Sequence, residues 1–337
     1  MRHKERNHET RALIAVGALT LILVFMAQVA SLAAQSQPAP RAQPAPRAQT
    51  QTSAGTYASP ADAVAALIDA SRRGDVQAVE AVFGPGSKDV VESGDAVADK
   101  LALQRFVAAY DKKNALVPIN TARQSLHVGD EDWDLPIPLV RQGARWRFDV
   151  AAGRAELIDR RIGRNETNAI QASRAYVDAQ REYASVDRNS DGVLEYAQHF
   201  ISTPGLKDGL YWVTQANEPP SPLGEFFAKA SDEGYFQQAA NSPSAPQRAR
   251  PYYGYYYTIL TSQGPAAPGG AYDYIVNGKM IGGFAMVAYP AEYGVSGVMT
   301  FLVNHDGIVY QKDLGPETDY LEIARFDPDI TWQRVPN

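Results

Sequence analysis

The apolar residues of this chain change their period three times, and that alternation limits the folds open to it. From Ser59 to Tyr110 they recur at helical steps. Ser59-Pro60 reads as an N-cap followed by a first-turn proline, and Val64, Leu67 and Ile68 follow on one face. Gly74-Asp75 ends that helix and caps the next, whose stripe of Val76, Val79, Val82 and Phe83 closes at Gly84-Pro85-Gly86. Val97, Leu101, Phe106, Val107 and Tyr110 mark a third. The period then drops to two. Leu135, Ile137 and Leu139 alternate with Pro136 and Pro138, which predicts an edge strand or a strand entry, because proline donates no ladder hydrogen bond. Trp146, Phe148 and Val150 alternate with Arg145, Arg147 and Asp149 as a half-buried strand.

Helical spacing resumes at Asn165-Glu166 and runs through Ala169, Ala172, Tyr176, Ala179 and Tyr183, with Ile170 and Val177 widening the stripe. Strand signals return in the last third. Five tyrosines among Tyr252 to Tyr257 predict a strand with tyrosine on both faces. Asn277-Gly278 is a hairpin turn between Tyr272 to Val276 and Lys279 to Ala288. Asn304-His305-Asp306-Gly307 joins Val298 to Val303 with Ile308 to Tyr310 in a second hairpin. Helices followed by antiparallel strands, twice over, predict an α+β architecture with folded units at 57–158 and 159–337. The first is helices packed on a curved antiparallel sheet; the second is a long helix with a C-terminal antiparallel β-meander.

The N-terminus reads as an address. Arg2, Lys4, Arg6 and Arg11 precede an apolar run from Ala12 to Val29, and Ser31-Leu32-Ala33 supplies the small residues that a signal peptidase reads. Residues 1–33 are therefore expected to be a signal peptide, with a retained membrane anchor as the rival, since the run approaches bilayer-spanning length. Residues 34–56 hold the motif Gln-Pro-Ala-Pro-Arg-Ala twice and no large apolar side chain until the segment ends, so a disordered tether is expected. An exported chain with 0 cysteines forms no disulfide, thiolate zinc site or Cys nucleophile, and must be stabilised by packing. A formal charge of -6 argues against nucleic acid as a partner. Membrane contact is expected only through an uncleaved leader.

Four groups of residues invite a chemical reading. Asp187, Asn189, Asp191 and Glu195 place oxygen ligands as the first half of a calcium loop does, with Gly192 at the turn; Gln198 stands where the closing carboxylate belongs. Calcium bound weakly is one reading, and an Asx-rich turn bonding its own backbone is the other. Arg160, Arg161 and Arg164 read as ion-paired surface residues or as an anion site. Asp130, Glu131, Asp132 and Asp134 read as a solvated turn, because consecutive carboxylates point in different directions. Gly282-Gly283 has neither the spacing nor the Ser/Thr of a phosphate loop. Beyond the leader only His127, His199 and His305 remain, none in a zinc-protease motif, and no Gly-x-Ser-x-Gly occurs. No catalytic residue and no cofactor other than calcium is expected.

The run from Tyr252 to Pro316, with RRIGRNE, AYVDAQREYAS and TPGLKDGLYW upstream, resembles the bacterial family catalogued as domain of unknown function 2950, over about Tyr57 to the end. That resemblance implies an exported protein and supplies no catalytic residues. The order helix, Gly-Asp, short helix, sheet resembles the nuclear-transport-factor-2-like cone, a fold that often holds a pocket. The long helix, then a strand-rich segment with Ala288-Tyr-Pro290-Ala-Glu-Tyr293-Gly294 and a closing Asp306-Gly307 turn, is similar to the globular part of type II secretion pseudopilins, although here a tether and a whole domain precede it. The expected function is a non-catalytic binding or assembly module of the cell envelope, in the periplasm or outside the cell, whose partner is an envelope protein or a glycan. A periplasmic hydrolase with a carboxylate site in the cone-like domain and a pseudopilin-like secretion accessory are the alternatives.

Overall fold

The computed structural model describes residues 55–215, 217–233, 235 and 250–336. The signal peptide expected at 1–33 and all but the last two residues of the tether expected at 34–56 lie outside them. In α1 (Pro60–Arg73) the Ser59 hydroxyl oxygen accepts from the Asp62 N–H, and Gly74 closes the helix at φ 61°. Asp75 caps α2 (Val76–Phe83) through the Ala78 N–H. A single turn, α3 (Lys88–Val91), follows, and Asp95 caps α4 (Ala96–Lys112) by accepting from Val97 and Ala98. The predicted stripe of α1 is buried as expected. That of α4 is not: the one buried residue of this helix is Asp99, and Leu101, Leu103 and Phe106 are only half-buried.

Five antiparallel strands come next: β1 (Asn114–Asn120), β2 (Arg123–Val128), β3 (Trp133–Asp134), β4 (Leu139–Gln142) and β5 (Arg145–Phe148). Their order is β1-β2-β4-β5, with β3 also on β2. Pro136 and Pro138 sit in the extended entry to β4, outside the ladder, so the alternation they interrupt is a strand entry. Leu126, Ile137, Leu139 and Phe148 close a first core against α1 and α2, with Phe83 edge-on to Phe148 at 5.1 Å.

The strand expected to reach Val150 stops at Phe148, and Val150 opens α5 (Val150–Tyr183), 34 residues and about 50 Å long. Asn165 therefore falls inside a helix rather than at its start. The first half of α5 escaped the pattern because the face it turns to the rest of the fold carries Gly153, buried, and the cavity-lining Arg161 and Arg164 instead of an apolar stripe. Gly153 is demanded by close approach. A Cβ there would lie 2.8 Å from the Ile137 nitrogen and closer still to the Pro136 carbonyl.

The second half of α5 packs Ala169, Tyr176, Val177 and Tyr183 onto a second core. The chain then forms the parallel pair β6 (His199–Ile201) and β7 (Gly209–Tyr211), helix α6 (Gly224–Asp232) and strand β8 (Tyr255–Leu260). Short ladders join β9 (Ser262–Gln263) to β10 (Tyr272–Asp273) and β11 (Ile275–Val276) to β12 (Lys279–Met280). The turn between β11 and β12 is Asn277-Gly278, at φ 51° and 80°. β13 (Ala285–Pro290), β14 (Met299–Asn304), β15 (Val309–Asp313) and β16 (Gln333–Arg334) complete an antiparallel sheet ordered β16-β15-β14-β13-β8. The tyrosine run is only partly strand, because Tyr253 and Gly254 turn at φ 50° and 76°. Among the described residues no helix is long and apolar enough to cross a membrane.

Gly153→Ala tests the crossing of α5 over the entry to β4. In a free helix the change stabilises by about 1 kcal/mol. Here it should destabilise by about 1–3 kcal/mol, because the added methyl meets the Pro136–Ile137 backbone, which cannot turn away as a side chain can. Denaturant unfolding reads the sign directly.

A cavity between α4 and α5

The half-buried face of α4 looks onto a cavity of about 460 Å³ whose other walls come from α1, α2, α3, α5, Trp133, Leu135 and Tyr253. Leu67, Val79, Leu135 and Val90, all buried, make its floor. Helix α5 presents Leu157, Arg161, Arg164, Asn165 and Asn168 to it, three and four residues apart and so on one face. Ser71 reaches the same space, is 1% exposed, and its Oγ has no hydrogen-bond partner.

The three arginines of the basic run have three different fates. Arg160 points outward, pairs with Glu156 at 2.6 Å and lies 5.7 Å from the centre of the Trp133 ring. Arg161 turns inward and ties off the end of α3. Its guanidinium donates to the Asp89 carbonyl at 2.7 Å, to that of Glu92 at 3.4 Å and to that of Val90. Burial lowers its pKa, and Asp99, Asp89 and Glu292 oppose that shift. Arg164 lines the cavity with Arg105 of α4, and neither has a hydrogen-bond or ion-pair partner among the described residues. Burial first, and then the charges of Arg105 and Arg161, lower the pKa of Arg164.

Acidic groups stand at the back. Asp99, 8% exposed, accepts from the Ser93 N–H at 3.0 Å and the Ser93 hydroxyl at 2.6 Å. Burial raises its pKa above the ordinary 3.8, and the two Ser93 bonds and Arg161 oppose the rise. Asp95, one turn earlier, is raised by burial in the same way. Tyr253 donates its hydroxyl to Glu233 at 2.6 Å, and burial, then Glu233, pushes its pKa up to about 12. Apolar walls with free cations at the outer edge suit the holding of a ligand. No side chain here is paired with a base as a nucleophile requires.

The sequence signal caught Arg161 and Arg164 through the basic run. It missed Arg105, Asp95, Asp99 and Ser71, which lie on other elements. Asp95 was readable as an N-cap, but its neighbours across the molecule were not.

The calcium-type loop brings its residues together. Asp187 accepts from the Asp191 and Gly192 N–H groups, and Asn189 accepts from Asp191 and donates its amide to Glu195 at 2.9 Å. Asp191 is ion-paired with the Lys279 ammonium, which holds its carboxyl below the ordinary range. Among the described residues no group of three or more His, Asp or Glu is gathered as a metal would require. Gln198 donates to the Gly278 carbonyl instead of closing the loop.

The acidic turn is divided among separate partners: Asp130 to Lys112 at 3.6 Å, Asp132 to Lys113 and His127 at 3.1 Å each, and Asp134 to Ser125. His199 is exposed on β6, and His305 sets its ring edge-on to Tyr274.

Two outcomes follow. With Lys279 filling the place of a cation, melting curves in millimolar Ca²⁺ and in EDTA should coincide; a Ca²⁺-specific rise lost in Asp191→Ala would assign the loop to calcium instead. The second concerns pH. Because burial raises Asp95 and Asp99 in the fold, the folded chain holds those protons more tightly than the unfolded one. Their stabilisation is full below about pH 4 and falls as pH climbs through the raised values. Asp99→Asn should remove part of that fall, read as a flatter curve of unfolding free energy between acid and neutral pH.

No curated protein and no solved structure matches this chain. A family model does: it spans residues 54–335, nearly all that the structure describes. Both cores, the cavity and the α5 crossing thus lie within the region by which the chain belongs to the family described as Protein of unknown function (DUF2950).

Proposed function

We propose that the chain is an exported, non-catalytic binding module that holds a small, largely apolar molecule in the cavity between α4 and α5. The observation that carries this reading is the cavity itself. Its volume of about 460 Å³ lies in the range of small-molecule sites, its walls are mainly apolar, and the polar groups are few and convergent. The apolar side of α4 has the spacing of a core helix but packs against this space, so a ligand supplies the contacts that a core would. The leader-like pattern of residues 1–33 supports export of the module. A cone-like arrangement of the first unit, in which helices close a curved sheet over a pocket, fits the same role, and an envelope protein or glycan is the partner that would deliver or receive the ligand.

The neutral dye Nile red tests the reading on the full chain. It should bind with enhanced fluorescence, and Ala102→Trp, which adds bulk inside the cavity from the exposed side of α4, should weaken that binding at least tenfold without lowering the melting temperature. Failure of the parent chain to bind overturns the reading.

Asp99 favours one rival, since a buried acid with a raised pKa beside a pocket suits a general acid. Turnover of an ester, glycoside or peptide substrate that disappears in Asp99→Asn would establish the hydrolase in place of the binding module.

A further inference from the structure

The cavity is charged at one side only. Arg105 and Arg164 both line it, both are exposed at its outer edge, and neither has a hydrogen-bond or ion-pair partner among the described residues. This is unusual company for a chain with 38 acidic and 32 basic side chains, in which the other cavity arginine is fully engaged. Asp99, the acid that lines the cavity, accepts both Ser93 donors, and Asp89 is paired with Arg154 rather than with either of these arginines. Two guanidiniums facing one space repel; burial first, and then the charges of Arg105 and Arg161, lower the pKa of Arg164. An anion placed between them removes that repulsion. The planar guanidinium fork also fits a carboxylate or a phosphate through two parallel N–H···O bonds. Behind the pair the walls are hydrocarbon: Leu67, Val79, Leu101, Leu135 and Phe106.

We infer that the natural ligand is an amphipathic anion, an apolar body ending in one carboxylate or phosphate group, whose head is held by Arg105 and Arg164 while the body enters the cavity. This inference rests on the binding-module reading and adds the chemical class of its ligand. The head group is read at the rim because both arginines are exposed there, whereas Leu67, Val79 and Leu135 at the floor are almost wholly buried. Asn165 and Asn168 stand on the same face of α5 as Arg164, and Asn165 is already bonded to the Ser296 carbonyl, so the charge recognition falls to the arginines.

The test uses the full chain and displacement of bound Nile red by dodecanoate, dodecyl phosphate, dodecanol and inorganic phosphate. Dodecanoate or dodecyl phosphate should displace the dye at concentrations at least tenfold below dodecanol, a difference of about 1.4 kcal/mol. The stronger of the two identifies the head group. Inorganic phosphate should displace nothing. In the double variant Arg105→Gln/Arg164→Gln the preference should vanish while Nile red still binds, since neither arginine bonds to the fold. Dodecanol equal to the anions, or a preference that survives the double variant, overturns the inference and leaves the binding module standing. Displacement by inorganic phosphate as strong as by dodecyl phosphate overturns it as well, in favour of a free-anion site. Absence of Nile red binding in the parent removes both readings together.

Discussion

One buried carboxylate joins the two cores. Asp95 is 2% exposed, and its oxygens receive four donors. The Val97 and Ala98 N–H groups at 3.1 and 3.0 Å start α4, and the Tyr235 hydroxyl and the Gly254 N–H, both at 2.9 Å, come from the far side of the molecule. A cap alone contributes about 1 kcal/mol. Here the same group also satisfies two distant buried donors, each of which would cost about 1–3 kcal/mol if left alone. The demand on the partner strand is strict. Gly254 turns at φ 76°, and a Cβ on it would lie 2.5 Å from Asn165 Nδ2, so the approach of α5 to this turn requires glycine. Asn165 itself donates to the Ser296 carbonyl at 2.9 Å, and Glu166 accepts from the Val298 and Met299 N–H groups at 3.0 Å. The junction is thus polar and directional, unlike the apolar cores on each side.

That arrangement explains why α5 is continuous. A helix that ended near residue 158 would leave the two cores joined by a flexible turn. Running from Val150 to Tyr183, it packs Leu157 against the first core and Tyr176 and Val177 into the second. Its middle, where periodicity fails, is the part that carries the arginines and Asn165. The residues that obscure the helix in the sequence are the ones that build the cavity and the junction.

Legibility followed the same division. Local signals were faithful: Ser59 and Asp75 cap as expected, Asn277-Gly278 turns as expected, and the prolines before Leu139 mark a strand entry. Side chains whose meaning depends on distant partners were not legible. Val97, Leu101 and Phe106 have the spacing of one core stripe, yet Val97 packs on Ala230, Tyr235 and Tyr252 while Leu101 and Phe106 line the cavity, and nothing in that spacing tells the two apart. Tyr252 and Tyr253 have strand propensity, yet the positive φ at Tyr253 and Gly254, imposed by the bond to Asp95, turns them out of the strand. Arg160, Arg161 and Arg164 were recognisable as a group, but only the phase of α5 separates the outward ion pair, the brace on α3 and the free cation.

The cavity survives because α4 is held at its ends. At the N-terminus Asp95 fastens it to Gly254 and Tyr235. At the C-terminus the Gly129 N–H donates to the carbonyls of Ala109 at 3.1 Å and Lys113 at 2.9 Å, while Lys112 and Lys113 reach Asp130 and Asp132 on the same turn. Apolar surface ordinarily closes such a space, at about 25 cal/mol for each Å² removed from water. For α4 to move inward and bury Leu101, Leu103 and Phe106, both anchors must move with it, and the inner one is a buried, four-donor carboxylate whose bonds depend on distance and angle. The polar cost at the ends opposes the apolar gain in the middle, and the helix spans the gap as a strut. A ligand that fills the space obtains the apolar gain without disturbing either anchor.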